Sequence, residues 1–347
     1  MLSRVRRLPL LAALLACLGF ASTASAAPAF RDTVLAKSAA RSLQAIAEWG
    51  GPTVATDGET VTIYFSDSYP VDPVRAKQWA DFMTSLVHGK EISTVAIHLV
   101  TPAEVQRQCG GQALACYYPP TATIYAPADD PAPDTSAKGV LAHEFGHHIA
   151  ASGTNPPFVS VDYGTKRWAS YENVCSRTFD GDLYPGAEDA RHYMLNPGEA
   201  FAETYRLLNE QKLGLPQESW DIVTTSLYPD PTALSLLEQD VLSPWKVNTS
   251  RNLTAKLSTK VRTRTYTVRT PYDGTLSIVS RQSGGAKVSV SLLSGGSIVK
   301  TSSFRKASGA LLSTTVCGER SYKVRVTLPG TVTKTTKATV TLAVSTP

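Results

Sequence analysis

Composition changes abruptly after Ser243-Pro244, and this break limits the folds that the 347-residue chain can adopt. From Leu253 onward, Ser, Thr and Val alternate in short runs that are separated by turn signals such as Gly295-Gly296. Short alternating runs at this spacing are typical of an all-β sandwich. Before the break, segments with helical and strand periodicity alternate instead. The sequence therefore predicts two domains, the second of them an all-β sandwich over residues 247–347.

The region before the break contains alternating predicted strands and helices. Strands are predicted over residues 61–65, 94–99 and 121–125, and helices over 31–49, 72–87, 102–108, 135–152, 197–212 and 231–240. Residues 153–191 show little periodicity. After the break, strands are predicted over residues 265–268, 276–280, 288–293, 322–326 and 338–344. We therefore expect a mixed α and β domain over residues 27–246, followed by the all-β domain.

The first 26 residues have the organisation of a secretory signal. Basic residues up to Arg7 precede an apolar run over residues 8–20, and Ala24-Ser25-Ala26 follows as a small-residue cleavage site. No later segment approaches the ~20 apolar residues that a membrane-spanning helix needs. We therefore predict a signal peptide over residues 1–26 and a secreted, extracellular protein. Lipidation at Cys17 is an alternative way of processing the same segment.

Four cysteines follow the predicted signal: Cys109, Cys116, Cys175 and Cys317. An even number in an exported chain favours two disulfides, for which three pairings are possible. A Gly-Gly pair lies between Cys109 and Cys116, so a local loop closed by these two is favoured. Cys175 and Cys317 would then link the two domains. A structural zinc site is less favoured, because no two cysteines have C-x-x-C spacing.

Charge is divided unevenly between the two predicted domains. Residues 27–246 contain 15 Lys/Arg and 27 Asp/Glu, whereas residues 247–347 contain 16 Lys/Arg and 2 Asp/Glu. Opposite charges of this size indicate two domains that attract each other, or a basic domain that seeks an anionic cell-surface polymer or acidic lipid. The alternative is an accessory domain whose lysines and arginines simply face water. Specific nucleic-acid binding is not expected, because the aromatic residues of this domain are too scattered to form a stacking platform.

Residues 143–147 read His-Glu-Phe-Gly-His and match the H-E-x-x-H pattern within the predicted helix over 135–152. His143 and His147 would lie one above the other on this helix, so both imidazoles can bind one zinc ion. Glu144 lies about 100° round the helix, where it can act as a general base on water whose pKa zinc lowers toward ~7. Apolar neighbours such as Val140 indicate that the motif residues do not lie on a solvent-exposed face of this helix. The ordinary alternative is two structural histidines.

A catalytic zinc site needs a third protein ligand, and Gly153 stands where a third histidine would complete a longer motif. Asn196-Pro197 predicts a helix start, and Glu199 and Glu203 follow at i, i+4 spacing. Two like charges at this spacing repel, and they repel more when buried. Zinc binding by Glu199, with Glu203 supporting a ligand histidine, removes this difficulty. The alternatives are a capping role for Glu199, or Glu203 or His192 as the ligand.

Together, residues 143–147 and 196–203 resemble the motifs of the gluzincin zinc peptidases, in particular the lethal-factor-like branch. The resemblance extends over about residues 60–210 and is carried by these two short motifs. It implies an α+β zincin-like catalytic domain that binds Zn²⁺. It also implies that His143, His147 and Glu199 are the metal ligands and that Glu144 is the catalytic base.

The same resemblance implies a tyrosine shortly before the ligand glutamate that stabilises the developing oxyanion. Tyr193 is the candidate here, with His192 as the alternative. A thermolysin-type spacing would instead select Glu172 as the third ligand. In this family, substrate lies along an edge strand just before the active-site helix, which the strand predicted over residues 121–125 would provide. The alternative is an ordinary strand with no role in binding.

Residues 247–347 resemble the pre-peptidase C-terminal modules of secreted bacterial peptidases, with residues 322–326 matching their penultimate strand. The sequence therefore predicts a secreted zinc metallopeptidase that hydrolyses protein or peptide substrates. One alternative is a non-catalytic surface-binding protein in which the zincin domain is degenerate and the basic sandwich is the working part. Another is an enzyme that cleaves an amide bond in cell-wall peptide.

Overall fold

The computed structural model describes residues 45–305, 309–328, 330, 333 and 335–347. The predicted secretory signal over residues 1–26, with Cys17, lies outside the described residues. Most of the helix predicted over residues 31–49 also lies outside them. Among the helices of the described residues, none is both long enough and apolar enough to cross a bilayer.

The first region is built on a five-stranded mixed sheet. Its strands are β1 (Glu48–Val54), β2 (Thr60–Ser66), β3 (Ala96–Val100), β4 (Cys116–Tyr118) and β5 (Thr123–Pro127). They lie in the order β1-β2-β3-β5-β4. β2, β3 and β5 are parallel, whereas β1 and β4 pair antiparallel with their neighbours at the two edges. Every second residue of β2 points into the core, and these residues, Val61, Ile63 and Phe65, are fully buried. This alternation is expected for a strand that packs one face on a core.

Two expectations from the sequence are wrong at the edges of this sheet. The end of the helix predicted over residues 31–49 belongs to β1 instead. Gly50 has φ +109°, and a side chain there would come within 2.5 Å of the Ile63 carbonyl oxygen, so glycine allows β1 to approach β2. The strand predicted over residues 121–125 as a sheet edge corresponds to β5, which lies between β3 and β4. On this side of the sheet the edge strand is β4.

Helices surround this sheet. In the described part of the region they are α1 (Pro73–Ser85), α2 (Pro102–Cys109), α3 (Ala137–Ser152), α4 (Ser160–Tyr163), α5 (Lys166–Tyr171), α6 (Val174–Asp180), α7 (Pro197–Leu213) and α8 (Pro231–Leu242). Several starts are fixed by a capping side chain and a proline in the first turn. Asp72, for example, accepts hydrogen bonds from the backbone N–H groups of Val74 and Arg75. The segment over 153–191, which showed little periodicity, contains the short helices α4 to α6.

The helices α3 and α7 cross at the centre of the first region. Of the 16 residues of α3, 13 are buried, so this helix lies inside the core rather than on its surface. At the crossing, a Cβ atom on Gly146 would lie 2.9 Å from Cα of Ala202. The absence of a side chain at Gly146 therefore lets the two backbones approach, which brings one face of α3 against the first two turns of α7.

The second region consists of two four-stranded sheets. Its strands are β6 (Thr249–Ser258), β7 (Thr263–Thr270), β8 (Gly274–Ser283), β9 (Val288–Ser294), β10 (Ser297–Phe304), β11 (Ala310–Val316), β12 (Arg320–Thr327) and β13 (Lys337–Thr346). The sheets have the orders β10-β9-β12-β7 and β11-β8-β13-β6. Val324 of one sheet and Val340 of the other belong to the same fully buried cluster, so the sheets pack face to face. The all-β prediction for this region is confirmed.

Two disulfides have the pairing that the sequence favoured. Cys109 is bonded to Cys116, and Cys175 of α6 is bonded to Cys317 just after β11. The second bond joins the two regions, which also share a buried polar contact. There, Lys166 Nζ donates hydrogen bonds to the carbonyl oxygens of Pro156 and Asp273 at 2.9 and 3.0 Å. The two regions are therefore joined both covalently and through a desolvated interface.

Candidate metal centre

The two histidines of the H-E-x-x-H motif lie on the buried face of α3. Ser136 caps this helix by accepting a hydrogen bond from the Gly139 N–H, which fixes where the helix begins. His143 and His147 are four residues apart and therefore one above the other, with ring centroids separated by 5.0 Å. Both side chains are essentially inaccessible to solvent. A pair of imidazoles held in a dry site needs a polar or cationic partner.

The partner comes from the first turn of α7. Asn196 caps this helix, accepting a hydrogen bond from the Gly198 N–H, and Glu199 follows within the first turn. The carboxylate of Glu199 accepts a hydrogen bond from Asn196 Nδ2 on Oε1, at 3.4 Å. Its other oxygen, Oε2, faces the two histidines. Glu199 therefore directs its carboxylate to the centre of the site.

The separations of the three side chains fit a single metal ion. Glu199 Oε2 lies 3.4 Å from His143 Nε2 and 3.3 Å from His147 Nε2. One atom from each of the three residues lies within 4.8 Å of the others, and all three residues are buried. Bonds of about 2.0–2.2 Å to a tetrahedral zinc ion place neighbouring ligand atoms about 3.4 Å apart. The cluster can therefore hold a metal ion.

Glu203, one turn after Glu199, holds His143 from its other ring nitrogen. His143 Nδ1 lies 3.1 Å from Glu203 Oε2. Because an ionised carboxylate only accepts hydrogen bonds, Nδ1 carries the proton and Nε2 is left with its lone pair toward Glu199. Burial alone would raise the pKa of Glu203, but the hydrogen bond from His143 and the charge of Arg206 bring it below its usual value. Glu203 therefore stays ionised and fixes the orientation of His143.

Arg206 completes this arrangement and was not identified from the sequence. Its Nη2 donates to Glu203 Oε1 at 3.0 Å, and its Nη1 donates to Glu210 Oε1 at 2.5 Å. The side chain is almost fully buried between these two carboxylates, one turn to either side of it on α7. The spacing E-x-x-R-x-x-x-E over residues 203–210 is the sequence signal that could have revealed it.

Glu144, the proposed base, has no exposed surface and lies next to His143 on α3. Tyr193 is also brought to the centre, because its hydroxyl donates to Glu199 Oε2 at 3.2 Å. His192, its alternative, lies outside the centre: Nδ1 is 3.0 Å from Asp189 Oδ2, and the ring stacks on Tyr184. The structure therefore brings Tyr193, rather than its neighbour, next to the three clustered side chains.

The other sequence candidates for a third ligand are not part of this cluster. Glu203 contacts His143 from the opposite ring nitrogen, and Glu172 lies at the C-terminal end of α5. Burial raises the pKa of Glu172 to about 7, the charge of Arg177 lowers it by a smaller amount, and the charge of Asp230 raises it slightly. His148 turns away from the centre, with Nδ1 3.0 Å from the Tyr117 hydroxyl and Nε2 2.9 Å from the Glu91 carbonyl oxygen.

Comparisons with known proteins give only partial similarities. No family model matches the chain, and no curated protein matches it. Among solved structures, the pre-peptidase C-terminal domain of a collagenase from Bacillus anthracis is 14% identical, with a TM-score of 0.24, over 28% of this chain and 89% of that one. A mitogen derived from Yersinia pseudotuberculosis is 11% identical, with a TM-score of 0.23, over 29% and 88%. The carbohydrate-binding module CBM36, solved with calcium and xylotriose, is 13% identical, with a TM-score of 0.20, over 28% and 90%.

Proposed function

We propose that this chain is a secreted zinc metallopeptidase with a zincin-like catalytic domain in residues 27–246. The observation that carries the proposal is the convergence of His143, His147 and Glu199 at separations that suit one tetrahedral ion. Two disulfides are typical of a protein from an oxidising compartment, which supports export.

Each residue of the site has a role in this proposal. A zinc ion held by the three ligands would polarise the scissile carbonyl and lower the pKa of an attacking water toward ~7. Glu144 takes the proton from that water and passes it to the leaving amine nitrogen. The Tyr193 hydroxyl donates a hydrogen bond to the oxyanion that develops on the substrate. Glu203 keeps His143 in the tautomer and orientation that ligation requires.

The second region would act as an accessory domain that retains the enzyme at an anionic cell-surface polymer. Its 16 Lys/Arg oppose 2 Asp/Glu, and one of these acids, Asp273, is buried. On β12, Tyr322, Val324 and Val326 face the core, whereas Lys323 and Arg325 point outward and are exposed. The outward cations of β12 add to a basic surface that attracts polyanions over about a Debye length.

The test combines metal content with activity. We expect purified protein to contain about one zinc per chain by elemental analysis, and to hydrolyse casein in a manner that a chelator abolishes. The variant Glu144→Gln is expected to keep its zinc and to lose at least about a hundredfold in turnover, because it cannot accept a proton. The variant Asp182→Asn, an exposed acid outside the cluster, provides the matched control.

The same experiment separates the competing functions. Zinc-replete protein that cleaves neither casein nor cell-wall peptide would favour the non-catalytic surface-binding function. Cleavage of wall peptide alone would redirect the proposal to an amide of that polymer. Unchanged casein turnover in Glu144→Gln would exclude the mechanism.

A further inference from the structure

A cavity of about 430 Å³ lies against α3, beside the proposed metal centre. Val140 and Glu203 both line it. Val140 is four residues before Glu144 and therefore on the same face of the helix, and helical side chains lean toward the N-terminus, so Glu144 points toward Val140. Glu203 contacts His143 directly. The cavity is thus within one helical turn of the residues that would carry the chemistry.

Carboxylates dominate the charged part of this cavity wall. Asp134, Glu218 and Asp221 line it, and Arg206 is the lining cation. The guanidinium of Arg206 is already engaged by Glu203 and Glu210 on α7. Of the three other acids, Glu218 is held in place by hydrogen bonds from the N–H and hydroxyl of Ser136. The carboxylates of Asp134, Glu218 and Asp221 therefore give the cavity wall a negative charge that Arg206 does not balance.

The remaining wall is apolar. Leu114, Val140 and Ile222 lie along it, and Val140 and Ile222 are almost completely buried. An apolar wall that leads to exposed carboxylates suits a side chain with an aliphatic stem and a cationic end. An acidic side chain would be repelled by the same carboxylates, and an apolar one would leave them without a counter-charge.

We propose that this cavity is a specificity pocket for a lysine or arginine side chain of the substrate. The stem packs against Val140 and Ile222, and the cationic end lies near Asp134 and Asp221. The inference rests on the proposed peptidase function, which it extends by naming basic peptides as the preferred substrate class.

The test uses peptides that are identical except at one position, which carries lysine, norleucine or glutamate. Norleucine keeps the aliphatic stem of lysine without its charge. We expect kcat/KM for the lysine peptide to exceed that for the norleucine peptide about tenfold at low salt, and the difference to shrink as salt is added. Mass spectrometry of the products should place the basic residue at a fixed distance from the bond that is cut.

The double variant Asp134→Asn/Asp221→Asn removes two exposed charges and leaves in place Glu218, which accepts hydrogen bonds from the N-cap residue Ser136. We expect the ratio of kcat/KM for the lysine peptide to kcat/KM for the norleucine peptide to fall about tenfold in this variant. The control Asp67→Asn/Asp182→Asn makes the same change in charge at two exposed acids that do not line the cavity, and it should keep the preference.

The outcomes for the two proposals are distinguishable. Metal-dependent hydrolysis with equal turnover of lysine and norleucine peptides, or an unaltered preference in Asp134→Asn/Asp221→Asn, would overturn the pocket alone. Absence of all hydrolysis would overturn the peptidase function. In that case the binding of the lysine and norleucine peptides is compared by calorimetry, and equal affinity overturns the pocket as well.

Discussion

Glu199 and Glu203 are one turn apart on α7, yet their surroundings give them different tasks. Glu199 faces the Nε2 atoms of both histidines, whereas Glu203 contacts Nδ1 of His143. Two buried carboxylates on one helix face would repel each other strongly without compensation. The guanidinium of Arg206 supplies that compensation for Glu203. One acid is therefore available as a metal ligand, while the other stays ionised to orient an imidazole.

This division predicts that Glu203→Gln weakens zinc binding without removing a ligand. A neutral amide accepts a weaker hydrogen bond from His143 Nδ1 than a carboxylate does. The imidazole is then less well oriented, and its Nε2 is a weaker electron-pair donor to zinc. We expect the zinc dissociation constant to rise about 10- to 100-fold, as measured by competition with a chelator.

The matched control for this prediction is Glu210→Gln. Glu210 also pairs with Arg206, but it lies two turns after Glu203 on α7, and it is Glu203 that contacts His143 Nδ1. We expect the two variants to lose similar stability, with normal zinc affinity in Glu210→Gln. Equal zinc affinity in both variants would show that Glu203 has no orienting role.

At the residue scale, the sequence predicted the three clustered side chains of the metal centre, but not the arginine that holds Glu203 in place. The spacing of His143 and His147 is dictated by helical geometry, so their shared face could be predicted from five residues. The motif around Glu199 predicted that α7 would supply the carboxylate. The contact of Arg206 with Glu203 depends on side-chain conformation and on the burial of α7. The E-x-x-R-x-x-x-E spacing of residues 203–210 permits this contact, but it does not show that α7 is buried or which way its side chains turn, and Arg206 was therefore missed.

At the scale of elements, the site depends on how closely α3 and α7 approach. A Cβ atom on Gly146 would lie 2.9 Å from Cα and 3.1 Å from the carbonyl oxygen of Ala202. These are backbone atoms of a buried helix, so they cannot move aside as a flexible side chain would. Close contact at this crossing brings Nε2 of His143 and of His147 on α3 to 3.4 and 3.3 Å from Glu199 Oε2 on α7.

We therefore predict that Gly146→Ala is destabilising, although alanine favours helices over glycine by about 1 kcal/mol. The cost of overpacking is typically 1–3 kcal/mol, so we expect a net loss of about 1 kcal/mol in the free energy of unfolding. Displacement of α3 should also lower zinc affinity. Urea denaturation and metal titration would measure the two effects.

Gly111→Ala is the control, because a Cβ atom there meets nothing within 4 Å. This variant should change the free energy of unfolding by less than about 0.5 kcal/mol, and it should leave the zinc affinity unchanged. If Gly146→Ala were as stable as the unaltered protein and bound zinc equally well, the close crossing would not be what positions the site.

Elements with strong periodicity were located from the sequence, and weakly patterned ones were not. The helices predicted over 135–152 and 197–212 correspond to α3 and α7, because their capping residues and apolar faces are locally encoded. Strand β10 was missed because its first five residues are all exposed, so no alternation marks it. Strand β4 has only three residues, and its place at the sheet edge is determined by pairing with β5. Such pairings are long-range and are not visible in a local pattern.

At the scale of the whole molecule, the two regions share an interface that contains buried charge. Burial lowers the pKa of Lys166 to about 8 despite the charges of Asp273 and Asp240. Burial also raises the pKa of Asp273 to about 6, against a hydrogen bond from the Gly318 N–H and the charge of Lys166. Deleting residues 247–347 would expose Lys166 and leave Cys175 without its disulfide partner. The role of the basic region is therefore better tested by surface substitutions in the full chain.

We predict that Lys323→Gln/Arg325→Gln weakens retention on an anionic polymer while peptide turnover stays unchanged. Both side chains point outward from β12, so their replacement leaves the core and the interface intact. At about 1 kcal/mol for each cation near a polyanionic surface, we expect affinity for immobilised polyphosphate to fall roughly tenfold or more. The salt dependence of binding should become shallower, because fewer counterions are released. The control Lys90→Gln/Lys212→Gln makes the same change in net charge on the first region, and equal losses in both variants would show that retention follows total charge rather than this face.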